Sequence, residues 1–197
     1  MKYSQYIDLQ KQKTCDPVRR KKWLNEEWAL KLNGFKKIFN NNIEFIGQQC
    51  LCVGARTGQE VQALLDIGKH AIGVDLVPQE PLVLEGDLHN LDFKNDSFNF
   101  IFSNVLDHSL YPDKFFSEAI RVCKQGGYIL LHLVVDDTFP DTDRYGVFEI
   151  TDIEKDIIPL IKNCQIVKNR HNPRYIGLPE YPEFHCFNVE LVIKVNK

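Results

Sequence analysis

The sequence predicts an α/β fold in which a mostly parallel sheet lies between two layers of helices. Three observations carry this. Short apolar runs alternate with amphipathic helical stretches from Gln49 to Val135, the pattern of repeated βαβ units. Glycine or acidic residues stand at the ends of those runs, where such a sheet turns toward its helices. Two further apolar runs close the chain with no helical stretch between them, which predicts an antiparallel pair at one edge. Seven strands follow in all.

The elements read in order as follows. From about Asp16 to Phe39, the residues Trp23, Trp28, Leu30, Leu32, Phe35 and Ile38 recur at roughly helical spacing among Lys and Glu. Asn33-Gly34 predicts a break into two helices, and Asn40-Asn41-Asn42 a stop. Gln49–Val53 is a strand ending at a glycine. Glu60–Ile67 is a short amphipathic helix closed by Gly68. Ala71–Asp75, Leu82–Glu85 and Phe98–Ser103 are the next strands. Pro112 opens a helix that runs to Cys123, proline being suited to a first helical position. Gly126-Gly127 turns the chain into a fifth strand, Tyr128–Val135. Asp152–Lys162 reads as a helix. Cys164–Asn169 and Cys186–Val195 read as the last two strands, separated by a loop holding Pro173, Pro179 and Pro182. No repeat or linker-like stretch divides the 197 residues, so one domain is expected: a helical segment over 1–45 and the sheet-bearing core over 46–197.

Composition narrows the class. The chain is 44% hydrophobic and 26% charged, as globular domains are. It has no run of about 18 apolar residues, so no membrane span is expected. The polar start Met1-Lys-Tyr-Ser-Gln-Tyr has no apolar signal region. A net charge of −3 lacks the basic excess that phosphate binding demands, so no nucleic-acid partner is expected. The one basic run, Arg19-Arg20-Lys21-Lys22, reads as a solvated helix face. Six cysteines, at 15, 50, 52, 123, 164 and 186, form no C-x-x-C, and no His pair has zinc spacing. Free thiols in a reducing compartment, the cytoplasm, are expected.

The candidate ligand loop is Val53-Gly54-Ala55-Arg56-Thr57-Gly58, between the first strand and its helix. Ligands in such sheets bind at the carboxyl ends of the strands, where glycines let the backbone come close. The dinucleotide fingerprint G-x-G-x-x-G is absent, because Arg56 stands where its second glycine would be. A pyrophosphate needs that close approach, so NAD and FAD are disfavoured. Asp75 ends the second strand about 20 residues after the loop, where a carboxylate accepts both hydroxyls of a ribose. The site therefore asks for ribose without pyrophosphate, a description that S-adenosylmethionine meets.

Gly86-Asp87-Leu88 after the third strand and Asn104 after the fourth complete a set of residues at successive strand ends. With these, the stretch Cys50–Val135 resembles the class I methyltransferase family and its small type-11-like members, whose fold is a Rossmann-like three-layer sandwich. Phe98–Ser103 resembles the family's fourth strand, and Val122-Cys-Lys-Gln-Gly-Gly-Tyr128 its turn before strand five. The loop G-A-R-x-G and the run Ser103–Phe115 are similar to those of methyltransferases from plants, algae and large algal viruses. The resemblance implies that S-adenosyl-L-methionine is the cofactor and S-adenosyl-L-homocysteine its product. It implies that Gly54, Ala55, Arg56 and Gly58 wrap the methionine portion, and that Asp75 holds the ribose with Leu76 flanking the adenine. Asp87 would accept from the adenine amino group, the backbone of Leu88 would meet a ring nitrogen, and Asn104 would lie near the methionine amine. Two positions depart from the pattern: Cys52 replaces an acid often found two residues before the first glycine, and Arg56 replaces the middle glycine.

The acceptor chemistry is read from the residues after strands four and five. His108 is the candidate catalytic base for a hydroxyl, with Asp107 as its orienting partner or a substrate ligand. The alternative is that His108 packs on the cofactor or caps the next helix. Asp136, Asp137, Asp141 and Asp143 could hold a divalent metal, but they read first as a solvated loop, and no metal is predicted. Tyr145, His171, Arg174, Tyr175, Tyr181 and His185 are candidates to line a polar acceptor cleft. Asn104 is not followed by the Pro-Pro-Tyr/Phe of amino-methyltransferases, and the Pro-Cys of cytosine-5 enzymes is missing. A hydroxyl on a small molecule, sugar or glycan is the expected acceptor. The competing expectations are a protein or RNA methyltransferase anchored by Arg19–Lys22, and a non-catalytic binding module of the same fold.

Overall fold

The computed structural model describes residues 1–135, 146–171 and 187–197. Its elements are α1 (Tyr3–Cys15), α2 (Pro17–Lys21), a π turn (Lys22–Glu26), α3 (Trp28–Asn40), β1 (Gln49–Val53), α4 (Gln59–Asp66), β2 (His70–Asp75), β3 (Val83–Glu85) and β4 (Phe98–Ser103). There follow a 3-10 turn (Leu106–His108), α5 (Pro112–Val122), β5 (Cys123–Leu133), two short turns (Ile153–Ile157 and Ile158–Leu160), β6 (Cys164–His171) and β7 (Val189–Val195).

The seven strands form one sheet in the order β3-β2-β1-β4-β5-β7-β6. Neighbouring strands from β3 to β5 run parallel. β7 is antiparallel to both β5 and β6, so the expected antiparallel edge is present. The direction of winding reverses at β1, which pairs with β2 on one side and β4 on the other. A crevice opens at that switch point, beyond the carboxyl ends of the strands.

Both faces of the sheet are buried, which is why its strands read as nearly continuous apolar runs. Leu51, Val53, Ile101, Ile129 and Leu131 pack on one side with Phe115, Phe116 and Ile157. Cys50, Cys52, Phe100, Phe102 and Leu130 pack on the other with Phe35, Ile38, Phe39 and Leu64. Successive residues of a strand point to opposite faces, so each run divides itself between the two cores. Phe39 and Phe102 meet edge to face at 5.3 Å between ring centres. Burial of each such ring contributes about 1.5–3 kcal/mol.

Several boundaries differ from expectation. Helix α1 falls within the helical segment expected over 1–45 but ahead of the periodic stretch read from Asp16, because its buried positions, Tyr6, Gln10, Lys13 and Thr14, make no apolar period. The break expected at Asn33-Gly34 does not occur. Both residues lie inside α3, and the chain instead interrupts itself at Glu27, after the π turn. Gly126-Gly127 lies within β5 rather than before it. The helix expected over Asp152–Lys162 is two separate turns, with Pro159 early in the second, where its missing N–H costs little. β7 is described from Val189, and Cys186 lies outside the described residues.

The stop at Asn42 has a tertiary cause. Its side-chain amide donates to Ile38 O at 2.9 Å and to Glu190 Oε2 at 3.0 Å. Lys168 Nζ lies 2.7 Å from Asn42 Oδ1 and 3.0 Å from Glu190 Oε1, and His132 Nε2 lies 3.3 Å from Glu190 Oε2. This buried polar group fastens the end of α3 to β5, β6 and β7. The basic run is likewise engaged in part: Arg20 donates to the Gln79 side chain, and Lys22 pairs with Glu27 at 2.7 Å.

Candidate active site

The loop after β1 is shaped by two residues that need a left-handed backbone. Gly54 has φ +78, and a Cβ there would sit 2.2 Å from Val105 Cγ2. Gly58 has φ +90 and starts α4. The N–H groups of Gly54 and Ala55 both donate to Val74 O, at 2.8 and 3.0 Å, which pins the loop to the end of β2. Ala55 is fully buried beneath it.

Arg56 is also left-handed, at φ +46. Its N–H donates to Asp75 Oδ2 at 3.0 Å, and its guanidinium stacks over the Trp23 ring at 4.4 Å. Gln59 Nε2 donates to Trp23 O at 3.0 Å, while its Oε1 accepts from Thr57 Oγ1 at 2.7 Å. The arginine in place of a middle glycine is thus accommodated by the helical segment before β1, which lays an aromatic face on it.

Asp75 ends β2. Its second oxygen accepts from Val77 N at 3.0 Å. Burial pushes its carboxyl above the usual range, against the opposing pull of those backbone donors and of Arg56. Glu60, in the first turn of α4, is more strongly perturbed: burial pushes it up to about 7, although its own backbone N–H and Arg56 favour the charged form.

A cleft lies over these strand ends. Gly54, Arg56, Val74, Asp75, Leu76, Gly86 and Leu88 form its floor and one side. Val105 and His108, from the segment after β4, and Tyr6, Gln10 and Thr14 of α1 complete its lining. It holds about 520 Å³ of empty space, counting the solvent at its mouth. A wall with one ionisable carboxylate, backbone approach at Gly54 and apolar side chains at Leu76 and Leu88 suits a ribose-bearing ligand with a flat base.

Of the residues expected at the site, Gly54, Arg56, Asp75, Leu76, Leu88 and His108 line this cleft. Ala55 and Gly58 do not line it: Ala55 is buried, and Gly58 lies against Leu82 and Val83. Asn104 lies between Ser103, whose hydroxyl donates to Val53 O at 3.0 Å, and the lining residue Val105. Asp87 lies between the lining residues Gly86 and Leu88, but its carboxylate turns to α1. It accepts from the Tyr3 hydroxyl, from His89 N at 2.9 Å and from His89 Nδ1 at 3.1 Å. Burial pushes Asp87 up, but the bonds from His89 and Tyr3 outweigh it and hold it below the usual carboxylate range.

His108 Nε2 lies 3.2 Å from Lys13 Nζ. An ammonium only donates, so this nitrogen is the unprotonated one and Nδ1 carries the ring proton. Asp107 Oδ2 is 3.6 Å from the same nitrogen, beyond hydrogen-bond reach. The Asp107 backbone carbonyl accepts from Val147 N and Phe148 N at 2.8 and 2.9 Å. The sequence reading missed Tyr6, Gln10, Lys13, Thr14 and Trp23 as neighbours of the site. Of the candidates for an acceptor cleft, only His171 falls among the described residues, exposed at the end of β6. The four loop aspartates and Tyr145, Arg174, Tyr175, Tyr181 and His185 lie outside them. Among the described residues, no three His, Cys, Asp or Glu side chains converge as a metal site. No helix among those residues is long and apolar enough to cross a membrane.

A family model described as "Methyltransferase domain" matches residues 51–131, from β1 through most of β5. No curated protein sequence matches the chain. Among solved structures, the chain is similar to the 1,6-didemethyltoxoflavin-N1-methyltransferase of Burkholderia thailandensis, solved with 1,6-didemethyltoxoflavin and S-adenosylhomocysteine. Identity there is 15% and the TM-score 0.74, covering 100% of this chain and 92% of that one. It is also similar to the PH0226 protein of Pyrococcus horikoshii (15%, TM-score 0.64, 88% and 93% covered). A third likeness is to a possible histamine N-methyltransferase of Thermotoga maritima (17%, TM-score 0.59, 87% and 94% covered). The class that fold and family match define is the S-adenosylmethionine-dependent methyltransferase of class I. The matched residues, 51–131, carry the glycine loop and the strand ends.

Proposed function

We propose that residues 1–197 act as one domain that transfers a methyl group from S-adenosylmethionine to a hydroxyl of a small polar molecule, sugar or glycan. The observation that carries this is the cleft itself, with the Asp75 carboxylate in its wall beside the left-handed Gly54 loop. In this reading Asp75 accepts from the ribose hydroxyls, and Leu76 and Leu88 hold the adenine between them. Asp87 accepts from the adenine amino group with the capacity that Tyr3 and His89 leave over, since a carboxylate has about four acceptor sites. The backbone of Gly54, Ala55, Arg56 and Gly58 wraps the methionine portion, and Asn104 stands near its amine.

The bound cofactor supplies an electrophilic methyl group. His108 takes the acceptor's proton at Nε2, for which Lys13 must yield that nitrogen; Asp107 contributes charge rather than a hydrogen bond. The walls of the cleft exclude water from the transfer. A small acceptor is supported by the net charge of −3 and by the partial engagement of the basic run in intramolecular bonds. The cysteines among the described residues are unbridged, in keeping with a reducing compartment such as the cytoplasm.

Calorimetric titration with S-adenosylhomocysteine tests the cofactor. Absence of binding would sink the enzyme reading. A screen of sugars, small phenols and nitrogen heterocycles, read by release of S-adenosylhomocysteine, tests the acceptor. Heterocycles belong in it because the Burkholderia protein is named for transfer to N1. Turnover confined to nitrogen acceptors would refute O-methylation while leaving the cofactor reading intact.

A further inference from the structure

Helix α1 lines the cleft with Tyr6, Gln10 and Thr14, yet most of its buried residues are polar. Of its buried residues, Tyr6, Gln10, Lys13 and Thr14, only Tyr6 carries a large apolar body. Polar contacts secure it at both ends. At its start, the Tyr3 hydroxyl donates to the Asp87 carboxylate. His89 backs this pair. Its Nε2 accepts from Tyr111 N at 3.2 Å, which assigns the ring proton to Nδ1, facing Asp87 Oδ1 at 3.1 Å and the Tyr3 hydroxyl at 2.9 Å. The rings of Tyr3, Tyr6 and Tyr111 gather around His89, with centres 5.4–5.7 Å from it. Near its end, Lys13 reaches His108.

Helix α1 stops at a joint. Asp16 has φ −59 and ψ 116, outside the helical region, and its carboxylate caps α2 by accepting from Val18 N and Arg19 N at 2.9 and 3.0 Å. Beyond the joint the chain is tied down by Arg20 on Gln79 and by Trp23 on Arg56 and Gln59. A fixed base, a non-helical joint and a polar helix held by hydrogen bonds are the parts of a hinged cover. Segments with few buried apolar contacts open at low free-energy cost.

We infer that α1 is a lid on the cofactor cleft, turning at Asp16, with Tyr3–Asp87–His89 as its catch and Tyr6, Gln10 and Thr14 as its ligand-facing residues. The inference rests on the cofactor reading of the cleft. The lid opens to admit the ligand and closes to hold it. Tyr3 is a positioning residue: it acts through the helix it fastens.

The test compares wild type with Tyr3→Phe, which keeps the ring and removes the donor. In hydrogen exchange without ligand, the amides of residues 6–14 should exchange at least about tenfold faster in the variant, as loss of a charge-assisted bond implies. Those of β1 and β4 should be unchanged, which controls for folding. With S-adenosylhomocysteine bound, exchange over residues 6–14 should slow in wild type. Stopped-flow dissociation should be at least about tenfold faster in the variant, with association no slower. Unchanged exchange and dissociation in Tyr3→Phe, with wild-type binding intact, would overturn the lid alone. A wild-type protein that bound no S-adenosylhomocysteine would remove the cofactor reading, and the lid's role with it.

Discussion

Glu60 is 5% exposed in the first turn of α4, close to Arg56 and Asp75. Burial lifts its carboxyl from 4.5 to about 7. A tenfold change in proton affinity corresponds to about 1.4 kcal/mol, so holding the ionised form in the folded chain costs about 3 kcal/mol. Below pH 4.5 the group is protonated in folded and unfolded chains alike and adds no pH dependence. Between 4.5 and 7 the unfolded chain ionises while the folded one keeps its proton, so stability falls as pH rises. Above about 7 the full penalty is present. Glu60→Gln keeps the shape and an acceptor oxygen but cannot ionise. Urea unfolding of both proteins from about pH 4.5 to pH 8.5 should show the variant more stable by about 3 kcal/mol at the alkaline end, with the gap closing toward the acidic end. Thermal midpoints should differ by roughly 6–12 °C at alkaline pH for a chain of this size. A difference independent of pH, or a variant less stable at alkaline pH, would refute the burial argument.

Three other outcomes follow from the site. Asp75→Asn should weaken S-adenosylhomocysteine by about 1.5–3 kcal/mol in calorimetry through loss of a charged acceptor, and unchanged affinity would remove Asp75 from the ribose. Gly54→Ala should lose about 2–4 kcal/mol in denaturant unfolding, because alanine meets both the left-handed backbone and the Val105 methyl; a neutral result would show that the loop relaxes freely. His108→Ala should lower turnover about 10²-fold or more with an identified acceptor. An unchanged rate would leave His108 a packing residue.

The architecture was largely legible in the chain. Leu51 and Val53 against Cys50 and Cys52, or Ile101 against Phe100 and Phe102, divide between two cores by strand geometry alone. The left-handed Gly54 and Gly58, and Asp75 at a strand end, are likewise local signals, because they report what the backbone must do at that position. Helix α1 left no such signal. Gln10, Lys13 and Thr14 are polar residues buried by partners distant in sequence, and polar residues carry no period. Asn33-Gly34 was overridden likewise: turn-forming chemistry predicted a break, while burial of Gly34 with Phe35, Ile38 and Phe39 holds α3 continuous.

Local sequence therefore determined the sheet, its two apolar faces and the place of the cleft, because hydrophobic periodicity and turn chemistry act over a few residues. Tertiary structure alone decided which polar atoms meet there. Arg56 could be known as a departure from a glycine pattern, but its stacking on Trp23 required a helix folded back over the loop. Asp87 could be read as a ligand for a base, but its engagement by Tyr3 and His89 depends on a contact spanning 84 residues. A side-chain donor finds its acceptor through space, and the chain sequence encodes that distance only through the completed fold.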